Sequence, residues 1–147
     1  MDNRTLVNDK QCEESVLGSL MRYESCLSDV RDILNVDCFY SEFNRNVYRA
    51  ILSIEDRGDS ADIIAVIAEL KKNGEQVEPY DIVKMSNEAI TSTTIYQHAA
   101  HLSDLNIRRK LWFYGQQLVS DSLDLTHDIV DVHASISDKL KNMFCNS

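Results

Sequence analysis

Residues 95–123, IYQHAAHLSDLNIRRKLWFYGQQLVSDSL, decide the fold class. Ile95, Ala99, Leu102, Leu105, Leu111, Trp112, Leu118, Val119 and Leu123 continue an apolar stripe at helical spacing, and no proline interrupts it. The spacing predicts one helix of about 30 residues. Gly115 lies mid-run, where it costs roughly 1 kcal/mol against alanine and permits a bend or a close contact. A break follows at Asp124-Leu125-Thr126. Ile129, Val132, Ile136, Leu140 and Met143 then step by three and four toward the C-terminus. Two adjacent helices joined by a short turn make an antiparallel hairpin.

Such a hairpin has more apolar surface than one narrow seam hides. Each fully buried side chain of this kind stabilises by roughly 1.5–3 kcal/mol, and much of that is lost if the hairpin stands exposed. It therefore either folds back on the rest of the chain or packs against a second copy. The pattern alone leaves both open. Trp112-Phe113-Tyr114 sharpens the point: successive rings on a helix point about 100° apart, so the three cannot all enter one core. At least one is expected to meet a partner.

The rest of the chain reads as shorter helices. Val16, Leu17, Leu20 and Met21 mark the first, between Lys10 and Tyr23. Ser25 is a candidate cap for a second, carrying Leu27, Val30, Ile33 and Leu34 and closed by a left-handed Asn35. Asp37-Cys38-Phe39-Tyr40 forms an aromatic connector. Ser41 or Asn44 starts a third helix with Val47, Tyr48, Ile51 and Ile54 inward and Gly58 as its stop. Asp62 caps a fourth, with Ile63, Val66, Ile67 and Leu70, which ends at Gly74. Pro79 opens a short fifth, and Ser92, Thr93 and Thr94 offer caps for the long one. A single proline and four glycines among 147 residues suit this all-helical reading.

Lys and Arg number 15 against 24 Asp and Glu, a net charge of −9. Grip on nucleic acid comes largely from cations that displace counterions along phosphates, so direct DNA binding is not expected. The same charge disfavours an anionic membrane surface, and no apolar stretch approaches the length of a membrane span. Cys12, Cys26, Cys38 and Cys145 are far apart without a C-x-x-C pair, and read as reduced, half-buried thiols of a cytoplasmic protein.

The glycines precede no Lys-Ser or Lys-Thr pair, so there is no P-loop, and neither a dinucleotide loop nor a nucleophile elbow is present. No catalytic, cofactor-binding or metal-ligating residue is expected. His98 and His101, with Asp104 nearby, read as polar residues on a solvated face rather than zinc ligands. Glu13-Glu14 reads as a solvated or helix-start charge pair. Arg108-Arg109-Lys110 reads as a solvated face or an ion-pair partner for a neighbouring chain. A helix-turn-helix alternative would need that triplet as its recognition helix.

Several blocks together resemble the N-terminal domain of hexameric, DnaB-like bacterial replicative DNA helicases. Glu13-Glu14-Ser15-Val16-Leu17-Gly18-Ser19-Leu20 is similar to that family's E-x-S-V-L-G-x-L opening. Asp37–Tyr40, Val47-Tyr48-Arg49-Ala50-Ile51 and Gly58 follow in order. Asp62 through Leu70 and Gly74 resembles its D-x-x-T-V-x-x-x-L-x-x-x-G block, and Tyr96–Leu111 the start of its long helix. The coverage is about residues 10–145. A proline usual before the first helix is Val7 or Asn8 here, the family's Thr is Ala65, and a glycine pair is replaced by Glu78-Pro79-Tyr80.

The resemblance implies a globular helical head over residues 10–105 followed by an antiparallel hairpin over 106–145. In the family, hairpins pair in dimers and three dimers form a collar that docks primase; a helicase loader is a further implied partner. ATP and Mg would belong to a motor domain that this sequence lacks, so the chain itself is not expected to be an enzyme or to need a cofactor. It is either a domain of a longer helicase or a naturally short relative, and the end just past the last helix suits the former. The residues expected in the dimer are Trp112, Leu118, Val119, Leu125, Ile129, Val132, Ile136 and Leu140. A stand-alone helical adaptor is the other alternative.

Overall fold

The computed structural model describes residues 6–144, and among them every regular element is helical. α1 spans Lys10–Arg22, α2 Cys26–Val30, α3 Glu42–Asp56, α4 Ile63–Lys72, α5 Pro79–Asn87, α6 Ile95–Leu123 and α7 Ile129–Asn142, with a 3-10 turn at Val36–Cys38. α1 to α5 and the first half of α6 form a head around Leu17, Phe39, Tyr48, Ile51, Ile82 and Leu102, all fully buried. α7 packs principally against α6 and leaves the head as the second arm of a hairpin. The alternative in which the hairpin folds back is therefore not adopted.

Local chemistry sets most boundaries. The Asp9 carboxylate accepts the Cys12 N–H at 3.0 Å, Ser41 Oγ that of Asn44 at 3.4 Å, and Asp62 that of Ala65 at 2.8 Å. Each satisfies an N–H that has no partner within the first turn. α5 opens on Pro79, where the missing N–H costs nothing. α3 and α4 stop at Gly58 and Gly74, whose φ of +85° and +82° an L side chain rarely adopts. The following N–H groups, of Asp59 and Glu75, reach back to Ile54 O at 3.2 Å and Leu70 O at 3.0 Å.

Three expected caps fail. Asn35 is extended (φ −96°, ψ 172°) instead of left-handed, because α2 has already ended at Val30 and a turn carries the chain to Leu34. Ser25 makes no side-chain cap bond to α2. Thr94 precedes α6 in a helical rather than extended backbone and also makes none. Its hydroxyl joins that of Thr91 at 3.1 Å instead.

Two charged side chains expected in solvent are interior. Glu13 is 1% exposed. Its carboxylate accepts the Tyr40 N–H at 2.9 Å, the Asn44 Nδ2 amide at 3.0 Å and the Ser41 N–H at 3.5 Å. It thereby places a negative charge at the N-terminus of α3. Arg109 is 6% exposed. It donates from Nη1 to Val7 O at 3.0 Å and from Nη2 to Asp37 O at 3.0 Å and Cys38 O at 3.3 Å, with its guanidinium 5.3 Å from the Tyr40 ring centre. The non-repeating connector leaves carbonyls without ladder partners, and a guanidinium with five donors supplies them. Arg108 pairs with Asp104 at 2.8 Å on its own helix. The basic triplet is thus not a solvated face, and a recognition helix would lose its middle cation to the fold.

Cys12, Cys26 and Cys38 are buried free thiols rather than half-buried ones, and Cys145 lies outside the described residues. Burial first, then Asp9 and Glu13, push the Cys12 thiol up to about 12, so it stays protonated. His98 Nδ1 lies 3.9 Å from Cys12 Sγ, and His101 Nε2 is 3.2 Å from Asp9 Oδ2, so neither histidine turns to Asp104.

Glu14 of α1 and Glu88, the C-cap of α5, meet as two carboxyls, and Glu88 Oε2 is buried. Burial, then the Glu88 charge, raise the Glu14 pKa against the pull of Lys10 and Lys84. The protonated form of Glu14 is thereby favoured in the folded chain. Because the folded pKa lies above the unfolded one, this contribution is complete below the unfolded value and fades as pH rises through the folded value. Glu14→Gln is expected to raise the thermal midpoint relative to wild type at pH 8 and to give no advantage at pH 4. Paired melts at the two pH values check this; an advantage independent of pH would contradict it.

Candidate self-assembly face

The long helix does not present one continuous stripe. Ile95, Ala99, Leu102, Asn106 and Arg109 are its buried residues, all in the head. At about 100° per residue, Leu111, Gly115, Leu118 and Ser122 project from nearly the opposite side. The apolar direction therefore switches where α6 leaves the head. Below that point it faces the core; above it, α7 and open space.

The hairpin seam is narrow. Tyr114, Gln117, Leu118 and Asp121 of α6 meet Val132, Ser135, Ile136 and Lys139 of α7 around a residual crevice of about 10 Å³. Lys139 Nζ sits 5.7 Å from the Tyr114 ring centre. Val132 and, near the base, Met143 are buried. At the tip, Asp124 Oδ1 accepts the Thr126 N–H at 3.0 Å and hydroxyl at 2.6 Å, and those bonds hold its carboxyl below the usual range. Asp128 then caps α7 by accepting the Val130 N–H at 2.8 Å.

One side of this hairpin is apolar. Measured from the seam, Ile129, Ile136, Leu140 and Phe144 of α7 project to the same side as Leu111, Leu118 and Val119 of α6. Phe144 shares a groove with Ile107 and Leu111, which ties the two stripes together at the base. The opposite side carries Phe113, Gln116, Ser120, Asp124, Asp131 and Asp138. Apart from the half-buried Ile136, exposure is high on this side: Val119 is 58% exposed, Ile129 69% and Phe144 77%. Isolated apolar residues on a surface are ordinary, but seven on one side of two packed helices form a patch of the kind that marks an interface.

Of the residues expected at a dimer contact, Leu118, Val119, Ile129, Ile136 and Leu140 share this side. Trp112 lies at its edge, half-buried and edge-on to Phe113 with ring centres 5.1 Å apart. Leu125 stands at the tip, 97% exposed. Val132 is buried in its own seam, and Leu118 and Ile136 line that seam as well as the apolar side. Leu111 and Phe144 join the face without having been singled out. Phe144 continues the α7 spacing four residues past Leu140, a signal present in the sequence. The head–hairpin boundary placed between residues 105 and 106 falls inside α6, whose packing on the head continues through Arg109.

Residues 5–104 match the family model for the DnaB-like helicase N terminal domain. The chain is 27% identical over 140 residues to the replicative DNA helicase DnaB of Synechocystis, covering 93% of this chain and 15% of that protein. It is 25% identical over 136 residues to the replicative DNA helicase DnaC of Bacillus subtilis, covering 86% of this chain and 30% of the relative. The chain thus spans less than a third of these relatives' length. The crystal structure of the N-terminal domain of DnaB helicase from Mycobacterium tuberculosis superposes with a TM-score of 0.87 at 24% identity, covering 94% of this chain and 99% of that one.

Proposed function

Since the chain belongs to the DnaB-like helicase N-terminal domain family, we propose that it is the assembly domain of a replicative DNA helicase, pairing through its hairpin within a hexameric collar. In this reading the head runs through Arg109 of α6, and the hairpin beyond it is the assembly arm. The collar docks primase and meets a helicase loader in the cytoplasm. ATP hydrolysis, with its Mg, belongs to a motor domain elsewhere in the parent protein, and this chain holds no cofactor. No helix among the described residues is long and apolar enough to cross a membrane.

The observation that supports this best is the one-sided apolar face of the hairpin. A second copy covers it by an isologous contact, in which each residue of the patch appears twice. Primase and loader docking rest on the family and are tested separately, by pull-down with each protein.

Val119→Glu with Leu140→Glu tests the pairing. Both side chains are largely exposed, so the monomer fold is expected to survive. Two-fold pairing repeats each change, and a loss of about 1.4 kcal/mol per copy compounds to roughly 100-fold in the dimer constant. Sedimentation equilibrium of the wild type should show dimers that the variant lacks, with unchanged helical content. A wild type that stays monomeric at high micromolar concentration overturns the reading.

A further inference from the structure

Where α6 leaves the head, a groove of about 500 Å³ opens between the connector, α3 and the polar side of the hairpin. We propose that it is a docking site for an acidic segment of another protein that carries a bulky apolar side chain. Leu6, Tyr40, Arg45, Arg109, Lys110 and Phe113 line it.

The walls combine rings with fixed cations. Phe113 is 56% exposed. Tyr40 lies under the Arg109 guanidinium. Arg45 donates from Nη1 to Phe39 O at 3.1 Å and Tyr40 O at 2.7 Å, which fixes its guanidinium while leaving Nε and Nη2 for a ligand. Lys110 has no ion-pair partner among the described residues. Three cations converge, and among the described residues the carboxylate in the groove wall is Asp37 alone. Glu13 acts on Arg109 from behind the connector, but the Tyr40 and Ser41 N–H groups and the Asn44 amide occupy its oxygens.

A chain of net charge −9 that gathers three cations beside two rings selects a ligand of opposite charge with something apolar to bury. Arg109 adds charge from the groove floor, while the Arg45 guanidinium, already oriented by carbonyls, loses little freedom when it takes a carboxylate. The site also stays accessible in the proposed assembly. Lys110 and Phe113 project from the side of the hairpin opposite the apolar face, so a second copy seated there leaves the groove open; this clause alone rests on the self-assembly reading. A nucleic acid fits less well, since the overall charge repels a polyanion and the three cations form no extended row.

The test uses the 147-residue chain and a fluorescein-labelled Glu-Glu-Leu-Phe-Glu-Glu peptide, read by anisotropy and by amide chemical shifts. Binding should be at least tenfold tighter than for the same peptide with lysine in place of glutamate, and should shift Tyr40, Arg45, Lys110 and Phe113. Lys110→Glu and Phe113→Ala should each weaken it about tenfold without changing sedimentation or the thermal midpoint. Equal binding of the two peptides, shifts confined to Val119 and Leu140, or tighter binding of a twelve-residue oligothymidylate would each overturn the proposal. A change of sedimentation with Lys110→Glu alone would assign the groove to a contact between copies and overturn it too. Peptide binding by a monomeric wild type would keep this proposal while removing the self-assembly reading.

Discussion

Replacing Gly18 with alanine is expected to destabilise the chain by about 3 kcal/mol or more, the upper end of what overpacking costs. A Cβ built at Gly18 would lie 1.9 Å from Met85 O and 2.6 Å from its carbonyl carbon. Both atoms are backbone, so no rotamer change relieves the clash; α1 and α5 would have to part. In a chain of this size, that corresponds to a fall in thermal midpoint of roughly 6–12 °C. Gly115→Ala supplies the contrast. Nothing lies within 4 Å of a Cβ there, and alanine is the better helix former, so a gain of about 0.5–1 kcal/mol is expected. Urea melts of both variants check the pair. Equal effects would show that close approach of the α5 backbone does not explain the glycine at position 18.

Glu13→Ala is expected to cost about 3–5 kcal/mol, the range for removing one partner of a buried charged network. The Tyr40 N–H and the Asn44 amide would lose their acceptor. Across the connector, Arg109 would remain buried with its carbonyls but without the nearby negative charge. Glu13→Gln should recover part of the loss, because one amide oxygen still accepts while the NH₂ faces donors. Chemical denaturation of the three proteins should rank wild type, Gln, Ala in falling midpoint. A Glu13→Ala midpoint within experimental scatter of wild type would mean that the carboxylate fills space and does not organise the connector.

These two positions show what sequence reading reaches. Both lie in the stretch Glu13–Leu20 that carries the family resemblance, yet the first reads as a solvated or helix-start charge and the second has no role beyond its place in the motif. The motif marks both positions, but neither periodicity nor charge pattern states what either does. Glu13 is adjacent to Glu14 in sequence, and only the arrival of residues 40–44 some 30 positions later makes one of them interior. Arg109 is similar: its neighbours Arg108 and Lys110 face outward as a basic triplet should, while it turns inward to carbonyls at Val7, Asp37 and Cys38.

The helices themselves, the starts at Ser41 and Asp62, the stops at Gly58 and Gly74, and the terminal hairpin follow from the sequence alone. Periodicity and capping act over a few residues, so the chain states them locally. Which side of α6 is apolar at each height, the seating of Val132 in its own seam, and the sharing of one face by Leu118 and Leu140 needed the tertiary structure. Those depend on where the head ends and α7 lies across the helix, and contacts between distant segments decide that.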